Sequence, residues 1–577
     1  MPHRRQHRAA AVASAAHAMS YQKSALPVMT TRDGAIQGVL MEGAHAFLGI
    51  PFAASPVGSR RWAPPAAVAP WKGVLDATKY RHNCLQLEAY SPPQPRETVS
   101  EDCLFLNIWK PAAANASSNL PVWFYVHGGS FHSGGANETR LDGRWNAARS
   151  DIIMVTANYR LNVFGFLASR ILRNRDGDRG STGNYGILDQ RAALVWVQRN
   201  IQTFGGDPSR VMLAGQSAGG AAVYNHLVRR SSWGLFSRAL PMSGGYTLVL
   251  PQPEAAEYER TFEIICNVTR CGVGGVGCLE TLPSDALLEA WRSVQYDPAV
   301  RLEPVVDGID LTGQVSDLLR QGQVAPSVPV LAGATREDLD YPLWPAPQVT
   351  LKCKPGLCTQ EDFSVFLHGL APNFGWDAAF EARMLAAYSH AENPIADGTK
   401  WYWAARHVGA DWTMVCPARR AAQWMARLPH AGPSFLYLFS HAPAGPSGAF
   451  PALAHHSSEL PFVFHVEKTP SGADALLYQF NATHEGSLAD LISTTWVNFA
   501  ATSAPAGAQW LPIGTTDGHE WMEFGHPELH GGISLWRKHA ECELWDETDR
   551  KLHPGSGAGV QRRDTMVESA AWADLRQ

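Results

Sequence analysis

Short apolar runs of strand length alternate along the chain with longer segments of helical periodicity. In the segment Asp189–Phe204, the apolar residues Leu194, Val197 and Ile201 recur three and four positions apart with polar residues between them, which predicts a helix. The runs that most clearly indicate buried strands are Val122–Val126, Ile152–Ala157, Val211–Gly215 and Val328–Ala332. Because strands that alternate with helices pair in parallel and are covered on both faces, the pattern predicts an α/β fold with a mostly parallel sheet.

The composition supports one large folded domain with short tails. The chain has 577 residues, of which 45% are hydrophobic, and this is enough to bury a large core. We expect the domain to cover residues 25–548, after an N-terminal tail or weak signal segment (1–24) and before a polar C-terminal tail (549–577). Because the segment 1–24 begins with basic residues and continues rich in alanine, a signal peptide, a transit-like segment and a disordered tail all fit it.

Charge and hydropathy exclude several classes of partner. The net charge is −5 at pH 7 and no run rich in Lys or Arg follows the first eight residues, so we expect no binding to nucleic acid or to anionic membranes. No apolar stretch reaches the ~18 residues that a membrane span requires. No group of cysteines and histidines has the spacing of a zinc site, and we expect neither a metal nor an organic cofactor.

Cysteines and glycosylation signals favour a secretory compartment. The nine cysteines are easier to explain in an oxidising environment than in the cytosol. Asn-x-Ser/Thr triplets, the acceptors of N-linked glycans, occur at Asn115, Asn137, Asn267 and Asn481. We therefore expect a secreted glycoprotein.

The candidate nucleophile is Ser217, in the pentapeptide GQSAG of residues 215–219. A lone Gly-x-Ser-x-Gly motif arises easily by chance in a chain with many glycines. Here the motif follows the apolar run Val211–Ala214 and precedes a helix-compatible segment, Ala218–Arg229, and this is the strand–turn–helix context of a nucleophile elbow. The flanking glycines permit a strained turn that projects the hydroxyl above the sheet.

A second glycine-rich turn, HGGS at residues 127–130, follows the predicted strand Val122–Val126. Consecutive glycines after a buried strand let backbone N–H groups turn toward the oxyanion that develops in a tetrahedral intermediate. We predict an oxyanion hole made of the N–H groups of Gly129, Ser130 and Ala218, the last of which directly follows the nucleophile.

Further sequence blocks occur in order around these two turns: EDCLFLNI at 101–108, NYR at 158–160, FGF at 164–166, GNYGILDQR at 183–191 and FGGDP at 204–208. Together with GQSAGG at 215–220 they resemble the type-B carboxylesterase family of cholinesterases, fungal lipases and carboxylesterases, and within it the fungal-type carboxylesterase branch. The resemblance extends from about Gly49 to the region of Cys542. It implies an α/β-hydrolase fold, with a mostly parallel central sheet flanked by helices, and ester hydrolysis through an acyl-enzyme with a Ser–His–acid triad.

The resemblance also assigns the other two members of the triad. In the family, the histidine stands three residues before a glutamate and an apolar run, and His456 precedes Glu459 in this way, which makes His456 the general base. The family acid follows a glycine at the end of a strand, and counting from Gly333 puts Asp338 at this position, where the family customarily has glutamate. Glu337 directly precedes Asp338 and is the alternative acid.

The pairing of the cysteines is a further implication of the resemblance. It implies the disulfides Cys84–Cys103, Cys266–Cys278 and Cys416–Cys542. Apart from the resemblance, Cys353 and Cys358 are close enough in the sequence to form a small local bridge, which leaves Cys271 unpaired.

The expected partner is a small-molecule ester that carries no quaternary ammonium group. Cholinesterases have a Trp between the first two cysteines for cation–π contact, whereas the loop between Cys84 and Cys103 has none, and Gln216 lacks the charge of their glutamate. The same loop holds only 18 residues and is shorter than the lid loop of the family's lipases, so we expect an open gorge and soluble, short- to medium-chain esters. Ser130 replaces the last glycine of the customary oxyanion turn. Its side chain should crowd the acyl side of the site and slow the hydrolysis of esters of bulky acids.

Two alternatives to a simple esterase follow from the same family. One is a lipase that acts on longer-chain acylglycerols beneath a lid. The other is a catalytically inactive, cholinesterase-like adhesion module. Inactive members usually lack the serine or the histidine, whereas this chain has both Ser217 and His456.

Overall fold

The computed structural model describes residues 26–552 except for 88–94, 175–179, 273, 339–352, 354–356, 390–399, 444–453, 467–479, 506–509, 515–519, 526–531 and 536–538. The predicted N-terminal segment 1–24 and most of the predicted C-terminal tail lie outside the described residues. Within these ranges, no helix is both long enough and apolar enough to cross a membrane.

The described residues form β-strands that we number in chain order. They are β1 Val28–Thr30, β2 Ala35–Gln37, β3 Val39–Met41, β4 Ala44–Pro51, β5 Val74–Asp76, β6 Asn83–Cys84, β7 Val99–Ser100, β8 Phe105–Pro111, β9 Leu120–Val126, β10 Ile153–Ala157, β11 Gly206–Gln216, β12 Arg238–Met242, β13 Val330–Thr335, β14 Ser434–Phe439, β15 Glu520–Phe524 and β16 Gly532–Leu535.

The α-helices are numbered in the same way. They are α1 Arg144–Arg149, α2 Asn162–Phe166, α3 Arg170–Arg173, α4 Tyr185–Asn200, α5 Ala218–Val228, α6 Ala255–Val268, α7 Val276–Thr281, α8 Ser284–Val294, α9 Val315–Arg320, α10 Gln360–Phe374, α11 Ala378–Tyr388, α12 Lys400–Ala410, α13 Cys416–Ala426, α14 Leu460–Val463, α15 Ala482–Thr502 and α16 His539–Leu552. A π-helical turn, Asp411–Val415, joins α12 to α13.

The central sheet has the strand order β16-β15-β14-β13-β12-β11-β9-β10-β8-β4-β3. From β15 through β10 every neighbouring pair runs parallel, and antiparallel pairs complete both edges. The predicted mostly parallel sheet is therefore confirmed. Because the carboxyl ends of parallel strands meet at one edge of a sheet, the segments that follow β9, β11 and β13 lie close together.

Helices bury both faces of this sheet. Along β9, Phe124 packs into the apolar cluster that contains residues of α4 and α5, whereas its neighbour Trp123 packs into a second cluster with Trp496 of α15. The alternation follows from strand geometry, in which successive side chains point to opposite faces. Both faces are apolar, as the uninterrupted apolar runs of the sequence indicated.

The structure confirms the four predicted strands and the helix, with shifted ends. Residues 122–126 and 211–215 fall on β9 and β11, and the run at 152–157 begins its strand, β10, one residue later. The run at 328–332 begins its strand two residues later and continues to Thr335 as β13. The segment predicted as helix from Asp189 to Phe204 is α4, which begins earlier at Tyr185 and ends in a short 3₁₀ turn over Ile201–Phe204.

Three of the predicted disulfides are present, and one prediction is wrong. Cys84–Cys103, Cys353–Cys358 and Cys416–Cys542 are bonded. Cys278 is bonded to Cys271 and not to Cys266, which is a buried free thiol.

The periodicity of α6 explains this correction. Tyr258, Phe262, Ile265 and Cys266 form the buried face of the helix, so the Cys266 side chain packs into the apolar core. Cys271 lies in the turn beyond the end of the helix, where it reaches the start of α7 and bonds to Cys278 across a separation of seven residues.

Candidate active site

Ser217 lies between β11 and α5 in a strained turn. Its backbone has φ +59° and ψ −124°, a conformation that is costly for a residue other than glycine. The Ser217 N–H donates to the carbonyl of Met242 at 2.9 Å, and its own carbonyl accepts the first helical bond of α5 from Ala221 N–H at 2.8 Å. The predicted strand–turn–helix is present, and the side chain is only half-buried.

The glycines on either side of Ser217 are required by close backbone contacts. A Cβ atom on Gly215 would lie 2.4 Å from the carbonyl carbon of Gly219. A Cβ atom on Gly219 would lie 2.0 Å from the carbonyl oxygen of Val126. Any larger residue at either position would push α5 away from the sheet.

The turn after β9 runs directly past Ser217. Gly129, Ser130 and Phe131 have successive φ values of +108°, +53° and +62°, so the chain turns back sharply there and its N–H groups do not continue the sheet ladder. A Cβ atom on Gly128 would lie 3.0 Å from Cβ of Ser217. Gly128, which directly precedes the predicted oxyanion residues Gly129 and Ser130, therefore lies beside Ser217.

The third predicted donor, Ala218, is the first residue of α5. It is fully buried, and the first N–H groups of a helix have no partner within that helix. Tyr159 supports the turn after β9 through two contacts with His127. The Tyr159 hydroxyl donates to the carbonyl of His127 at 3.0 Å, and the two rings stack with their centroids 4.3 Å apart.

His456 and Asp338 are hydrogen-bonded to each other. Asp338 is fully buried just beyond β13, and its Oδ1 accepts a hydrogen bond from Nδ1 of His456. Its other oxygen accepts a bond from the N–H of Thr335 at 3.0 Å. The His456 side chain retains 24% exposure, so the imidazole is fixed on one side and open on the other.

The opposite ring nitrogen of His456 is directed toward the nucleophile turn. Its Nε2 lies 3.2 Å from the side-chain amide nitrogen of Gln216, the residue that precedes Ser217. The structure thus brings the predicted serine, histidine and aspartate to one edge of the sheet.

Glu337, the alternative acid, faces away from His456. Its carboxylate accepts hydrogen bonds from His407 at 3.1 Å, from Arg336, and from the N–H of Ala454 at 3.0 Å. Burial alone would raise the pKa of Glu337, but His407 and Arg336 outweigh it and hold the pKa at about 2. The negatively charged Glu337 side chain therefore links the segment that carries His456 to the end of β13 through its hydrogen bond with Ala454.

The comparisons with known proteins identify the family. Residues 25–545 match the sequence model of the Carboxylesterase family. The chain belongs to this family. It is 32% identical over 519 residues to the cocaine esterase of Oryctolagus cuniculus, covering 85% of this chain and 90% of that protein. It is 31% identical to the acetylcholinesterase of Bungarus fasciatus, covering 90% of this chain and 87% of that one.

Solved structures show the same fold. A carboxylesterase of Geobacillus stearothermophilus has a TM-score of 0.73 at 29% identity, covering 90% of this chain and 99% of that chain. The protein is therefore a carboxylic ester hydrolase of the serine type with an α/β-hydrolase fold. In the part of the enzyme that the structure describes, no group of three or more His, Cys, Asp or Glu residues is arranged to hold a metal ion.

A buried acid lies behind the His456–Asp338 pair. Glu459 is 1% exposed, and within the described residues neither of its carboxyl oxygens has a hydrogen-bond partner. Burial, reinforced by the negative charge of Asp338, raises the pKa of Glu459 to about 8. Glu459 is therefore mostly neutral at pH 7.

The pKa of His456 is raised above its ordinary value. Burial alone would lower it, but Asp338, through its charge and its hydrogen bond, outweighs this effect. In the sequence, Glu459 stands out only as part of the family pattern, and the contact between Gln216 and His456 was not predicted. The position of Gln216 beside the nucleophile was the available signal for that contact.

Proposed function

We propose that the enzyme hydrolyses carboxylic esters with Ser217 as nucleophile, His456 as general base and Asp338 as the triad acid. One observation carries the proposal. His456 is held through Nδ1 by a buried carboxylate, while Nε2 faces the residue next to a half-buried serine on a strained turn. This is the relation between acid, base and nucleophile that acyl transfer requires.

In this mechanism the Ser217 hydroxyl attacks the ester carbonyl as Nε2 of His456 accepts its proton. The carbonyl oxygen becomes an oxyanion, which the N–H groups of Gly129, Ser130 and Ala218 stabilise by about 3–4 kcal/mol for each essential donor. His456 then returns the proton to the leaving alcohol. Water attacks the acyl-enzyme by the same proton transfers and releases the carboxylic acid.

The protonation of His456 sets the pH dependence of this reaction. Only the neutral imidazole accepts the proton of Ser217, and the pKa of His456 is raised above 6.5 chiefly by Asp338 acting against burial. Activity is therefore full above this raised pKa and falls as the pH drops through it. The pKa that the acid limb of kcat/KM reports should lie above the ordinary pKa of histidine.

The proposed substrates are soluble esters with short to medium acyl chains. The loop closed by Cys84 and Cys103 supports this proposal because it is short and has no Trp for a choline headgroup. Gln216 supports it as well, since it puts no negative charge beside the nucleophile. The Ser130 side chain is exposed at the oxyanion turn, where it would crowd a branched acyl group.

A chain-length series tests this proposal. We would measure kcat/KM for p-nitrophenyl acetate, butyrate, octanoate and palmitate, each below and above its solubility limit, with Ser217→Ala as the background control. We expect the highest values for the shorter esters and no jump at the solubility limit. Activity that rises with chain length and jumps above the limit would identify a lipase instead.

We also propose that the enzyme passes through a secretory pathway. The four disulfides of the described residues support this, since such bonds persist in oxidising compartments. Asn115, Asn267 and Asn481 are exposed, whereas Asn137 is half-buried and bonded to Asn83. Protein secreted from a eukaryotic host should lose mass on deglycosylation, with glycans at the three exposed sites. Retention in the cell with no glycan at any site would contradict the proposal.

A further inference from the structure

The side chain of Gln216 bridges the two halves of the active site. Gln216 is the last residue of β11 and is 2% exposed. A Cβ atom on Gly128, in the oxyanion turn, would lie 3.3 Å from its amide oxygen. Its amide nitrogen lies 3.2 Å from Nε2 of His456. One uncharged side chain therefore fills the space between the oxyanion turn and the general base.

The hydrogen-bond chemistry of His456 defines what this contact does. The Asp338 carboxylate can only accept, so Nδ1 carries the hydrogen that it receives. In the neutral ring this leaves one lone pair, on Nε2. The Gln216 amide group donates to this lone pair, which is the same lone pair that must accept the proton of Ser217. When the ring is protonated, Nε2–H and this amide N–H are both donors, so a bond forms only if the amide turns its oxygen toward Nε2.

We propose that Gln216 is a positioning residue that caps Nε2 of His456 in the free enzyme and, by donating to its only lone pair, keeps the imidazole neutral; this bond is given up when Ser217 donates its proton to the same lone pair. This inference rests on the proposed triad. It assigns a role in the reaction to a residue that touches neither the ester nor the oxyanion.

Other charges act on His456 as well, but they do not change when Gln216 is replaced. The titratable or charged groups that face the imidazole are Asp338 after β13, His455 and Glu459 on its own segment, and Arg140 from the turn before α1. A shift in the protonation of His456 that follows a substitution at position 216 is therefore assigned to that position.

Two variants separate positioning from simple packing. Gln216→Glu has the same shape but offers only acceptors, and Gln216→Met fills the space without donating or accepting. The readout is the acid limb of kcat/KM for p-nitrophenyl acetate between pH 5 and 9, which reports the pKa of the base in the free enzyme. Thermal unfolding of each variant serves as the folding control.

We expect the acid limb to move upward by about one pH unit in Gln216→Glu, because an anion beside Nε2 favours the imidazolium. In Gln216→Met, the loss of one hydrogen bond to the neutral ring should move it upward by about half a unit. The apparent pKa of fluorophosphonate inactivation should follow the same order. It should be lowest in the wild type, higher in Gln216→Met and highest in Gln216→Glu. If Gln216→Glu does not fold, the Met variant alone still decides.

An acid limb that stays in place in both variants, with kcat/KM lowered by a constant factor at every pH, overturns the inference and leaves Gln216 a packing residue. The inference is overturned as well if the Met variant moves the limb downward. Failure of the triad itself is recognised separately, since wild-type enzyme would then not be labelled at Ser217.

Discussion

The two adjacent carboxylates at the end of β13 give the sharpest test of the active-site geometry. Asp338→Asn and Glu337→Gln each replace one acid by its amide with little change of shape. Asp338 bonds to Nδ1 of His456, whereas Glu337 bonds to Ala454 N–H and His407. The first change should therefore remove activity, and the second should mainly weaken the fold.

The magnitude for Asp338→Asn follows from its two hydrogen bonds. The N–H of Thr335 donates to Oδ2 of Asp338 at 3.0 Å, so an asparagine there keeps its carbonyl oxygen toward Thr335 and turns its NH₂ group toward His456. Nδ1 must then accept, and the hydrogen moves to Nε2, the atom that should take the proton of Ser217. We expect kcat to fall by about 10³- to 10⁴-fold, or about 4–5.5 kcal/mol of transition-state stabilisation.

Glu337→Gln is the matched control. It removes the negative charge from hydrogen bonds that tie the His456 segment, through Ala454, and α12, through His407, to the end of β13, which should cost about 1–3 kcal/mol of unfolding free energy. Because His456 keeps Asp338, kcat should stay within about tenfold of the wild type. The assay is p-nitrophenyl acetate hydrolysis together with thermal unfolding. The reasoning is refuted if Glu337→Gln abolishes turnover while Asp338→Asn retains it.

Three further predictions concern charge, cysteine pairing and the oxyanion turn. Because the pKa of Glu459 is raised to about 8, the folded state holds a proton that the unfolded state releases. The contribution of Glu459 to stability is thus most favourable below pH 4.5 and is lost, by at most about 1.4 kcal/mol per pH unit, as the pH rises toward 8. In thermal unfolding from pH 5 to 8, Glu459→Gln should lose less stability with rising pH than the wild type does. Parallel losses in the two proteins would contradict this prediction. Alkylation of the acid-denatured protein should modify Cys266 alone; modification of Cys271 would instead mean a Cys266–Cys278 bridge. Gly129→Ala should lower kcat by about 10²- to 10³-fold with little change in KM, since its Cβ would lie 2.2 Å from a backbone oxygen; unchanged kcat would exclude this turn from the oxyanion hole.

Local patterns were sufficient to predict the elements that carry the site. β9, β11 and β13 are short apolar runs followed by turn residues, and their parallel pairing brings Gly129, Ser217 and Asp338 to one edge. Ser217 could be predicted as the nucleophile because a nucleophile elbow needs a strand, small flanking residues and a helix in immediate succession. His456 lies far along the chain from Ser217, and it was predicted as the base through the family resemblance.

Other features depend on side-chain direction at a level that a sequence does not specify. Glu337 and Asp338 are neighbours, and the turn beyond β13 decides which of them reaches His456. For the cysteines a usable signal existed and was overlooked: Cys266 shares the helical spacing of Phe262 and Ile265 and so belongs to the buried face of α6. The contact of Gln216 with His456 required the three-dimensional path of two distant segments.

Labelling with a fluorophosphonate probe, followed by peptide mass spectrometry, tests the central claim most directly. The probe phosphonylates an activated serine with loss of fluoride, so it reports the nucleophile and its base together. We predict one adduct per chain, on the peptide that contains Ser217, and no adduct and no ester hydrolysis in Ser217→Ala. An active enzyme in which Ser217 remains unmodified, or a Ser217→Ala variant that hydrolyses esters at the wild-type rate, would contradict the account.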